Sequence, residues 1–569
     1  MNRTARRRQE KLRTQIGSGS LPPKLHSVFV QAVAQHKALQ FAEADSLYRQ
    51  VLGQCPSHPD SLHLLGLTHF QRGNLQQAAE FITSAIASDQ SNPLYHFNLG
   101  LVHERSGQLS MAASAYQRAI HLNPSYIEAQ SNLGNVFRLQ GRLDDAVRSF
   151  QEVLRLNPQS AEAQNNLGVT LKEQGKTAEA ITAYRAAIEI NPSHAEAWNN
   201  LGVALKGDGH VSEAKSAFQE AVKAKPNYAN AHYHLGLTLL WQQRTQDALA
   251  CFHRSAELTH NHGNPIQRNV TTPSRIKHDL EQLRYLHRQG ISVEVPQPYL
   301  ETLERLSPVP ISQASGARIV TLSQDDQRHL APSFSRILHH GIAHGLSGGT
   351  LNPDLDVTSI EARYHEKKPE ITYLDHLLNE EALNRLRRFC LEATVWKKDY
   401  HNGYLGAFLA EGFASPLLLQ IAEELRLRLP NIFQDHQLAQ AWAFKYDSTL
   451  QGLNLHADAA AVNVNFWITP NEANLDETSG GLVVWDQEAP DDWDFKTYNS
   501  DQNKEKIREF LHRTHAQPVT VPHRQNRALI FNSNLFHETD TLSFRDDYES
   551  RRINVTLLYG YRQQAHRTH

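Results

Sequence analysis

Sulfur is scarce in this sequence of 569 residues, which contains three cysteines and two methionines. Cys55, Cys251 and Cys390 lie far apart and are odd in number, so neither a disulfide framework nor a thiolate zinc site is predicted. This usage is typical of a reducing compartment and favours a cytoplasmic location. No apolar run reaches the roughly 18 residues of a membrane-spanning helix, which argues against a membrane protein.

The sequence also lacks an excess of charge of one sign. Its net charge of −3 and pI near 6.9 give no electrostatic reason to expect binding to nucleic acid or to an anionic membrane. The content of 40% hydrophobic and 21% charged residues is typical of a soluble globular protein, and the length predicts several domains. Residues 1–24 begin with a basic stretch that no apolar segment follows. We interpret them as a disordered basic tail rather than a secretory signal, with contact to an acidic partner or a nucleic acid as the alternative.

The first half of the chain repeats itself every 34 residues. Each repeat has a Leu-Gly dipeptide, an alanine thirteen residues after the Leu, and a large apolar residue four positions further on. In order, these are Leu65, Leu99, Leu133, Leu167, Leu201 and Leu235; Ala78, Ala112, Ala146, Ala180, Ala214 and Ala248; and Ile82, Tyr116, Phe150, Tyr184, Phe218 and Phe252. A less regular unit with Ala44 and Tyr48 in the same phase precedes them.

Each repeat predicts two helices joined by a turn. Small residues let the helices approach closely, and the large side chain fills the gap between them. Because one helix pair cannot bury its apolar face alone, neighbouring repeats are expected to stack into a solenoid. The pattern resembles the tetratricopeptide repeat (TPR) family, and it predicts an all-α solenoid of seven repeats over residues 25–262.

A column of asparagines stands directly before four of the Leu-Gly pairs, at Asn98, Asn132, Asn166 and Asn200. An amide both donates and accepts hydrogen bonds, so a row of amides can hold an extended peptide backbone. The column resembles the asparagines that line the groove of O-linked N-acetylglucosamine transferases. The resemblance implies a peptide or protein partner in a concave groove. The alternative is that Asn merely suits this repeat position and that the groove is empty or covered.

The 34-residue period stops near residue 262, and we interpret residues 263–370 as a capping or connecting region that begins with an amphipathic helix. From residue 371 onward the pattern becomes an entry strand, a helix and then short strands. The later strand candidates are 440–447, 461–469, 480–486, 517–522, 527–532 and 552–561. Many short strands with few helices indicate a sandwich or a closed barrel, the class that includes jelly-roll double-stranded β-helices. The fold class is therefore multidomain α + β, with the β-rich domain over residues 371–569.

The triplet His-x-Asp occurs twice among 32 histidines, so the triplet alone is a weak signal. His58-Pro59-Asp60 lies in a repeat loop, whereas His456-Ala457-Asp458 stands directly before strand candidate 461–469. Polar and apolar residues alternate in that candidate, which predicts a half-buried strand. Another histidine, His537, follows candidate 527–532. Two histidines and one carboxylate at neighbouring strand ends can occupy one face of an octahedral Fe(II) and leave its other positions open.

The order of these features resembles the 2-oxoglutarate/Fe(II)-dependent oxygenases, over about residues 371–563. The resemblance implies that His456, Asp458 and His537 bind Fe(II) and form the catalytic centre. The cofactors it implies are Fe(II), 2-oxoglutarate as co-substrate, and O₂.

The resemblance extends to the co-substrate pocket. Arg552 matches the arginine that binds the C5 carboxylate of 2-oxoglutarate, and Tyr446 matches a frequent co-substrate contact. Asn554 stands where the family usually has Ser, and the adjacent Arg551 is an alternative to Arg552. The family's chemistry thus implies a dioxygenase that hydroxylates a peptide or protein side chain recruited by the groove. The alternatives are a TPR adaptor with an inactive oxygenase-like domain, or a small-molecule hydroxylase that uses the repeats for assembly.

A long insertion over residues 491–515 interrupts the predicted strands. A loop of this length in a compact barrel is typical of a lid or a binding loop. Its aromatic residues Trp493 and Tyr498, together with Trp485, either line a substrate entrance or anchor the insertion to the barrel.

Overall fold

The computed structural model describes residues 21–262, 268–307, 319–366, 368–433, 436–447, 455–493, 495–499 and 503–560. Two compact units make up the chain, Met1–Ala224 and Lys225–His569. The predicted basic tail covers residues 1–24, and residues 1–20 lie outside the described residues. The first helix begins at Pro23, within the range predicted for the tail. None of the helices in the described ranges is long and apolar enough to cross a membrane.

The described part of the first unit consists of paired helices. They are α1 Pro23–Lys37, α2 Phe41–Gln54, α3 Pro59–Gln71, α4 Leu75–Ser88, α5 Pro93–Arg105, α6 Leu109–Leu122, α7 Ile127–Leu139, α8 Leu143–Leu156, α9 Ala161–Glu173, α10 Thr177–Ile190, α11 Ala195–Gly207 and α12 Val211–Ala224. Each pair corresponds to one predicted repeat, and successive pairs share continuous apolar clusters. The predicted α-helical solenoid is confirmed for these repeats.

The repeated glycines let the two helices of a pair come together. A Cβ placed on Gly202 of α11 would lie 2.5 Å from Cε1 of Phe218 on α12. Gly168 stands in the same relation to Tyr184, at 2.6 Å. Both aromatic side chains are buried, so the predicted roles of the glycine and of the large apolar residue are confirmed.

The second unit begins with the helix pair of the last Leu-Gly repeat, α13 Ala229–Trp241 and α14 Thr245–Ala256, which continues into a π-helical turn at Glu257–Asn261. The boundary between the two compact units therefore lies one repeat before residue 262, the residue at which the 34-residue period ends. Trp241 Nε1 donates a hydrogen bond of 2.8 Å to the carbonyl of Leu438, which places this pair against the β-rich part of the unit.

The remaining helices of the second unit surround its sheets. They are α15 Pro273–Arg288, α16 Gln297–Leu306, α17 Gln324–Leu330, α18 Val357–Glu366, α19 Glu380–Glu392, α20 Pro416–Arg428, α21 Pro430–Phe433, α22 Phe495–Tyr498 and α23 Lys504–Arg513, with 3₁₀ turns at Leu409–Glu411 and Asn471–Ala473. Helix α15 is the amphipathic helix predicted after the repeats.

The strands form a small ribbon and two larger antiparallel sheets. They are β1 Val270–Thr271, β2 Val320–Thr321, β3 Ile371–Leu374, β4 Lys398–Tyr400, β5 Tyr404–Phe408, β6 Leu438–Tyr446, β7 Val462–Trp467, β8 Leu482–Glu488, β9 Pro518–Val521, β10 Ala528–Asn532, β11 Leu535–Thr539 and β12 Ile553–Tyr559. Strands β1 and β2 form the ribbon, the seven-stranded sheet has the order β3-β10-β7-β12-β6-β5-β4, and the three-stranded sheet has the order β11-β8-β9. One apolar cluster joins the two larger sheets through Trp467, Leu482, Val521, Phe531 and Leu535.

The C-terminal part is therefore β-rich with antiparallel sheets, and all six later strand candidates correspond to strands. The prediction that strand 461–469 is half-buried is wrong, because every residue of β7 is buried. Its inward side chains include Trp467 in the cluster between the sheets. On the outer face of the same sheet, Tyr559 of β12 donates to the carbonyl of Ala422 on α20, so helices cover the side opposite to the cluster.

Cys390 lies on α19 in this helical layer. Its side chain is fully enclosed, and burial raises the pKa of the thiol to about 12. The ammonium of Lys445, on the outer face of β6, donates to the carbonyl of Cys390 and to the hydroxyl of Tyr548.

We expect Gly202→Ala to destabilise the repeats by about 1–3 kcal/mol, because the new methyl group overpacks against the buried ring of Phe218. Gly207→Ala, on the same helix, is the matched control: a Cβ there meets no atom within 4 Å and should be neutral or stabilising by up to about 1 kcal/mol. Thermal melting followed by far-ultraviolet circular dichroism measures both. Equal melting temperatures for the two variants would contradict the close-contact role of Gly202.

Candidate functional site

The backbone brings His456 and His537 together. They form an isolated antiparallel bridge, in which His456 N donates to His537 O at 3.0 Å and His537 N donates to His456 O at 2.8 Å. His537 lies within β11, and the N–H of Asp458 donates to the carbonyl of Ser533, in the turn between β10 and β11. The loop before β7 is thereby fixed to the strand that carries the second histidine.

The three side chains converge on one point. One ligand atom from each of His456, Asp458 and His537 lies within 4.8 Å of the other two, and no other group of this kind occurs among the described residues. Nε2 of His537 is 3.5 Å from Oδ2 of Asp458, and Nε2 of His456 is 3.9 Å from Oδ1. Asp458 and His537 are buried, whereas the side chain of His456 is 16% exposed. The cluster is thus enclosed except on the His456 side.

Hydrogen bonds orient two of these side chains for metal binding. Nδ1 of His537 donates to the carbonyl of Leu535 at 3.0 Å, which fixes the ring with Nε2 directed toward Asp458. Burial raises the pKa of Asp458, but the hydrogen bond to His537 and the nearby histidine charges outweigh it and hold this pKa below its usual value. Two imidazoles and an ionised carboxylate are a donor set that fits a divalent transition metal.

Strand alternation separates the two candidate arginines. Arg551 points outward, where its Nη2 pairs with the carboxylate of Glu281 on α15. Arg552 points inward, and its guanidinium carbon lies 4.6 Å from the ring centroid of Tyr446. The side chain of Asn554 lies on the same inner face and accepts from Nη1 of Arg552 at 3.2 Å. Tyr446, Arg552 and Asn554 are therefore brought together, and Arg551 lies outside this group.

Among the residues that the structure describes, the buried guanidinium of Arg552 donates to neutral oxygens. Nε donates to Gly480 O at 2.6 Å and Nη2 to Gly481 O at 3.0 Å, in addition to the bond to Asn554. The residue is 1% exposed, and burial lowers the pKa of its guanidinium. A buried cation without a carboxylate partner is energetically costly, which makes this position favourable for an anion.

The Gly-Gly dipeptide that accepts from Arg552 is sterically required. A Cβ on Gly481 would lie 1.8 Å from the carbonyl oxygen of Val521 in β9, and Gly480 has a φ of +81°. Only glycine lets the start of β8 approach β9 this closely.

Sequence reasoning missed two polar residues next to the cluster, Asn463 and Asn465, which it treated only as the polar half of an alternating strand. Both are buried on the inner face of β7, and Nδ2 of Asn463 donates to Oδ2 of Asp458 at 2.8 Å. Asparagine in two consecutive inward positions of a central strand was the available signal, because a buried amide needs polar partners.

The other His-x-Asp triplet has a structural role. Nδ1 of His58 caps α3 by accepting from the backbone N–H of Ser61, and Oδ1 of Asp60 accepts from the hydroxyl of Tyr95.

The insertion packs against the segment that carries the metal-ligand candidates. Tyr498 is buried in an apolar cluster with Leu455, Ile507 and Phe536, against which Trp485 and Trp493 also pack. The carbonyl of Tyr498 accepts from the N–H of Ala457, and Nδ2 of Asn499 donates to the carbonyl of Ala457. Ala457 lies between His456 and Asp458, so these contacts favour the anchoring interpretation of the aromatic residues.

The asparagine column of the first unit is only partly open. Asn98 is buried, and its Nδ2 donates to Nε2 of His63 at 2.7 Å, so this amide is paired within the solenoid. Asn132, Asn166 and Asn200 are half-buried. Asn132 donates weakly to the hydroxyl of Tyr116 at 3.4 Å, and Asn200 donates to Oδ1 of Asn165 at 2.9 Å.

Family models described as tetratricopeptide repeat match residues 29–93, 81–127, 97–161, 131–195, 165–205 and 195–228. Tetratricopeptide repeats therefore extend over about residues 29–228. No curated protein matches the chain.

Several solved structures are similar to part of the chain. The crystal structure of MamA shares 25% identity, with 29% of this chain and 96% of that chain covered and a TM-score of 0.28. YrrB, described as a TPR protein with an unusual peptide-binding site, shares 24% identity. The match covers 32% of this chain and 93% of the YrrB chain, with a TM-score of 0.27. A tetratricopeptide repeat protein from Parabacteroides merdae shares 18% identity. The match covers 42% of this chain and 95% of that protein's chain, with a TM-score of 0.37.

We expect His456→Ala, Asp458→Ala and His537→Ala each to weaken binding of Fe(II) to the full-length protein by at least about tenfold, since each removes one of three ligands. His58→Ala and Asp60→Ala should leave metal affinity unchanged, although they remove contacts of the first repeats. Anaerobic Fe(II) titration with metal analysis of the dialysed protein tests this. Loss of iron from the His58 variant with retention by the His456 variant would place the site elsewhere.

Proposed function

We propose that this protein is a 2-oxoglutarate- and Fe(II)-dependent dioxygenase with a double-stranded β-helix catalytic domain, and that its TPR repeats recruit a peptide or protein substrate. The observation that carries the proposal is the juxtaposition, between two antiparallel sheets, of a His₂Asp cluster and a buried arginine that, within the described ranges, donates to neutral oxygens. A metal site with open positions beside an anion site matches a co-substrate that has a chelating end and a distant carboxylate.

Different residues would bind the metal and the co-substrate. His456, Asp458 and His537 would hold Fe(II), and Arg552 would bind the C5 carboxylate of 2-oxoglutarate through charge-assisted hydrogen bonds. Tyr446 stacks on the guanidinium and is within 3.4 Å of the Thr539 hydroxyl, so it restricts where that carboxylate can lie. Its phenol stays protonated at neutral pH, because burial raises its pKa.

When bound, Fe(II) and 2-oxoglutarate supply activation of O₂, by which substrate, 2-oxoglutarate and O₂ become hydroxylated substrate, succinate and CO₂. The chain itself contributes orientation and exclusion of water. Asp458 and His537 are buried and His456 is the exposed member, which makes the His456 side the approach for a substrate. The packed insertion, through Tyr498 and Asn499, shields the Ala457 backbone beside that approach.

The second candidate is a protein-binding adaptor, which the TPR repeats of residues 29–228 favour directly. In that case the β-rich part would bind no metal and turn over no 2-oxoglutarate. Iron content and 2-oxoglutarate-dependent release of succinate from the purified full-length protein decide between the two. Stoichiometric iron with succinate release supports the dioxygenase, and absence of both supports the adaptor.

Arg552→Ala should raise the apparent KM for 2-oxoglutarate far more than it weakens iron binding, because losing one partner of a buried charge pair costs about 2–5 kcal/mol. Arg551→Ala is the matched control, since Arg551 pairs outward with Glu281. It should lower the melting temperature and leave KM unchanged. Steady-state kinetics and melting curves of both variants measure this, and a KM effect confined to Arg551→Ala would move the co-substrate contact to the other face of the strand.

Replacing Asn132, Asn166 and Asn200 together by Ala should weaken capture of the protein partner by about tenfold or more, since each side-chain hydrogen bond contributes about 0.5–1.5 kcal/mol. The Leu-Gly and Ala packing is untouched, so the melting temperature should change little. Asn98→Ala is the contrasting variant, because its amide is buried against His63 and its loss should affect stability first. Unchanged partner affinity in the triple variant would mean that the partner binds elsewhere.

A further inference from the structure

A continuous chain of hydrogen bonds connects the candidate anion site to the candidate metal site. Arg552 Nη1 donates to Asn554 Oδ1 at 3.2 Å, and Asn554 Nδ2 donates to Asn465 Oδ1 at 3.0 Å. Asn465 Nδ2 then donates to Asn463 Oδ1 at 2.6 Å, and Asn463 Nδ2 donates to Asp458 Oδ2 at 2.8 Å. We call Asn554, Asn465 and Asn463 the asparagine chain.

All four hydrogen bonds of this chain run in one direction. Each amide accepts a hydrogen bond from the Arg552 side and donates one toward the Asp458 side. The three amide dipoles are therefore aligned between the guanidinium and the carboxylate. Hydrogen bonds arranged head to tail polarise one another, and a low local dielectric strengthens this effect. The three asparagines are buried, at 0–4% exposure, so little water competes with these bonds.

The chain also determines how Asp458 presents its oxygens. Asn463 occupies Oδ2, and Oδ1 is the oxygen nearer to His456. Asn465 is fixed in turn by a second donor, the hydroxyl of Thr556, which bonds to the same Oδ1 at 2.9 Å. The same hydroxyl accepts from Asn554 Nδ2 at 3.3 Å, so Thr556 supports two members of the chain. A change in the position or partners of Arg552 therefore reaches Asp458 through three buried amides that are hydrogen-bonded to one another.

We propose that Asn554, Asn465 and Asn463 are positioning residues that couple occupancy of the two sites, so that a dicarboxylate bound at Arg552 strengthens metal binding at Asp458 and the converse. An anion at Arg552 takes up part of the guanidinium's donor capacity and changes its bond to Asn554. The aligned amides pass this change to the carboxylate that holds the metal. This inference rests on the proposed function, because it takes the two ends of the chain as the co-substrate and metal sites.

The test uses Mn(II) as the metal and glutarate as the anion, since glutarate has both carboxylates of 2-oxoglutarate without its chelating keto oxygen. The Mn(II) dissociation constant of the full-length protein is measured with and without saturating glutarate, from the electron paramagnetic resonance signal of free Mn(II). We expect glutarate to tighten Mn(II) binding of the wild-type protein by about fivefold or more. In Asn465→Ala this factor should fall by about twofold or more, because the chain is interrupted at its centre.

Thr556→Val is the matched control. It removes the hydroxyl that donates to Asn465 Oδ1 and accepts from Asn554 Nδ2, but it leaves all four links between Arg552 and Asp458 in place. It should keep the wild-type coupling factor, which separates loss of the chain from general loosening of the core. By thermodynamic reciprocity, the same factor should appear when glutarate binding is measured with and without Mn(II), and this readout does not depend on turnover.

The outcomes separate the inference from the proposed function. Wild-type protein that binds no Mn(II) overturns both. Wild-type protein that binds Mn(II) and glutarate, but whose coupling factor is the same in Asn465→Ala, overturns the inference and leaves the proposed function standing. If Asn465→Ala does not fold, Asn554→Ala interrupts the chain at its Arg552 end, and an unchanged factor in that variant overturns the inference equally.

Discussion

The alternation of side chains along β6, β7 and β12 is the constraint on which the second unit depends. One residue of each adjacent pair faces the helices, and the other faces the interior of the sandwich. On β6, Lys445 therefore faces the helical layer and Tyr446 faces the interior. Just before β12, Arg551 faces outward and Arg552 faces inward. A slip of the strand by one residue would exchange these positions and place Arg551 at the candidate anion site. The strand register therefore determines which side chains face the interior of the sandwich.

The first unit uses another kind of regularity. Its repeats gain stability from one glycine and one large side chain per helix pair, so the contact surfaces are set almost entirely by local sequence. The second unit depends instead on pairings between distant segments, such as β7 with β10 and β12. Local contacts within repeats therefore build the first unit, and pairings between distant strands build the second.

This difference explains what the sequence predicts and what it leaves out. The 34-residue period predicts the helix pairs because each repeat makes the same local contact. The His-x-Asp triplet before a strand, together with His537, identifies three side chains that do converge in the structure. Strands β4, β5 and β11 were not predicted. His537 was placed after the strand of residues 527–532, whereas it lies within β11, because the chain changes sheets in the two-residue turn at Ser533. Asn463 and Asn465 appear in the sequence only as the polar positions of an alternating strand, since alternation alone cannot distinguish a polar surface from a polar interior.

The enclosure of Cys390 has a consequence for chemical durability. Sulfur is the most easily oxidised element in protein side chains, so accessible thiols and thioethers are the first targets of an oxidant. The second unit contains no methionine, and its two cysteines are Cys251 and Cys390. With its thiol fully buried and held protonated, Cys390 offers almost no thiolate to an oxidant, and burial also raises the pKa of Cys251. The scarcity of sulfur in the sequence thus leaves this unit few side chains that an oxidant can modify.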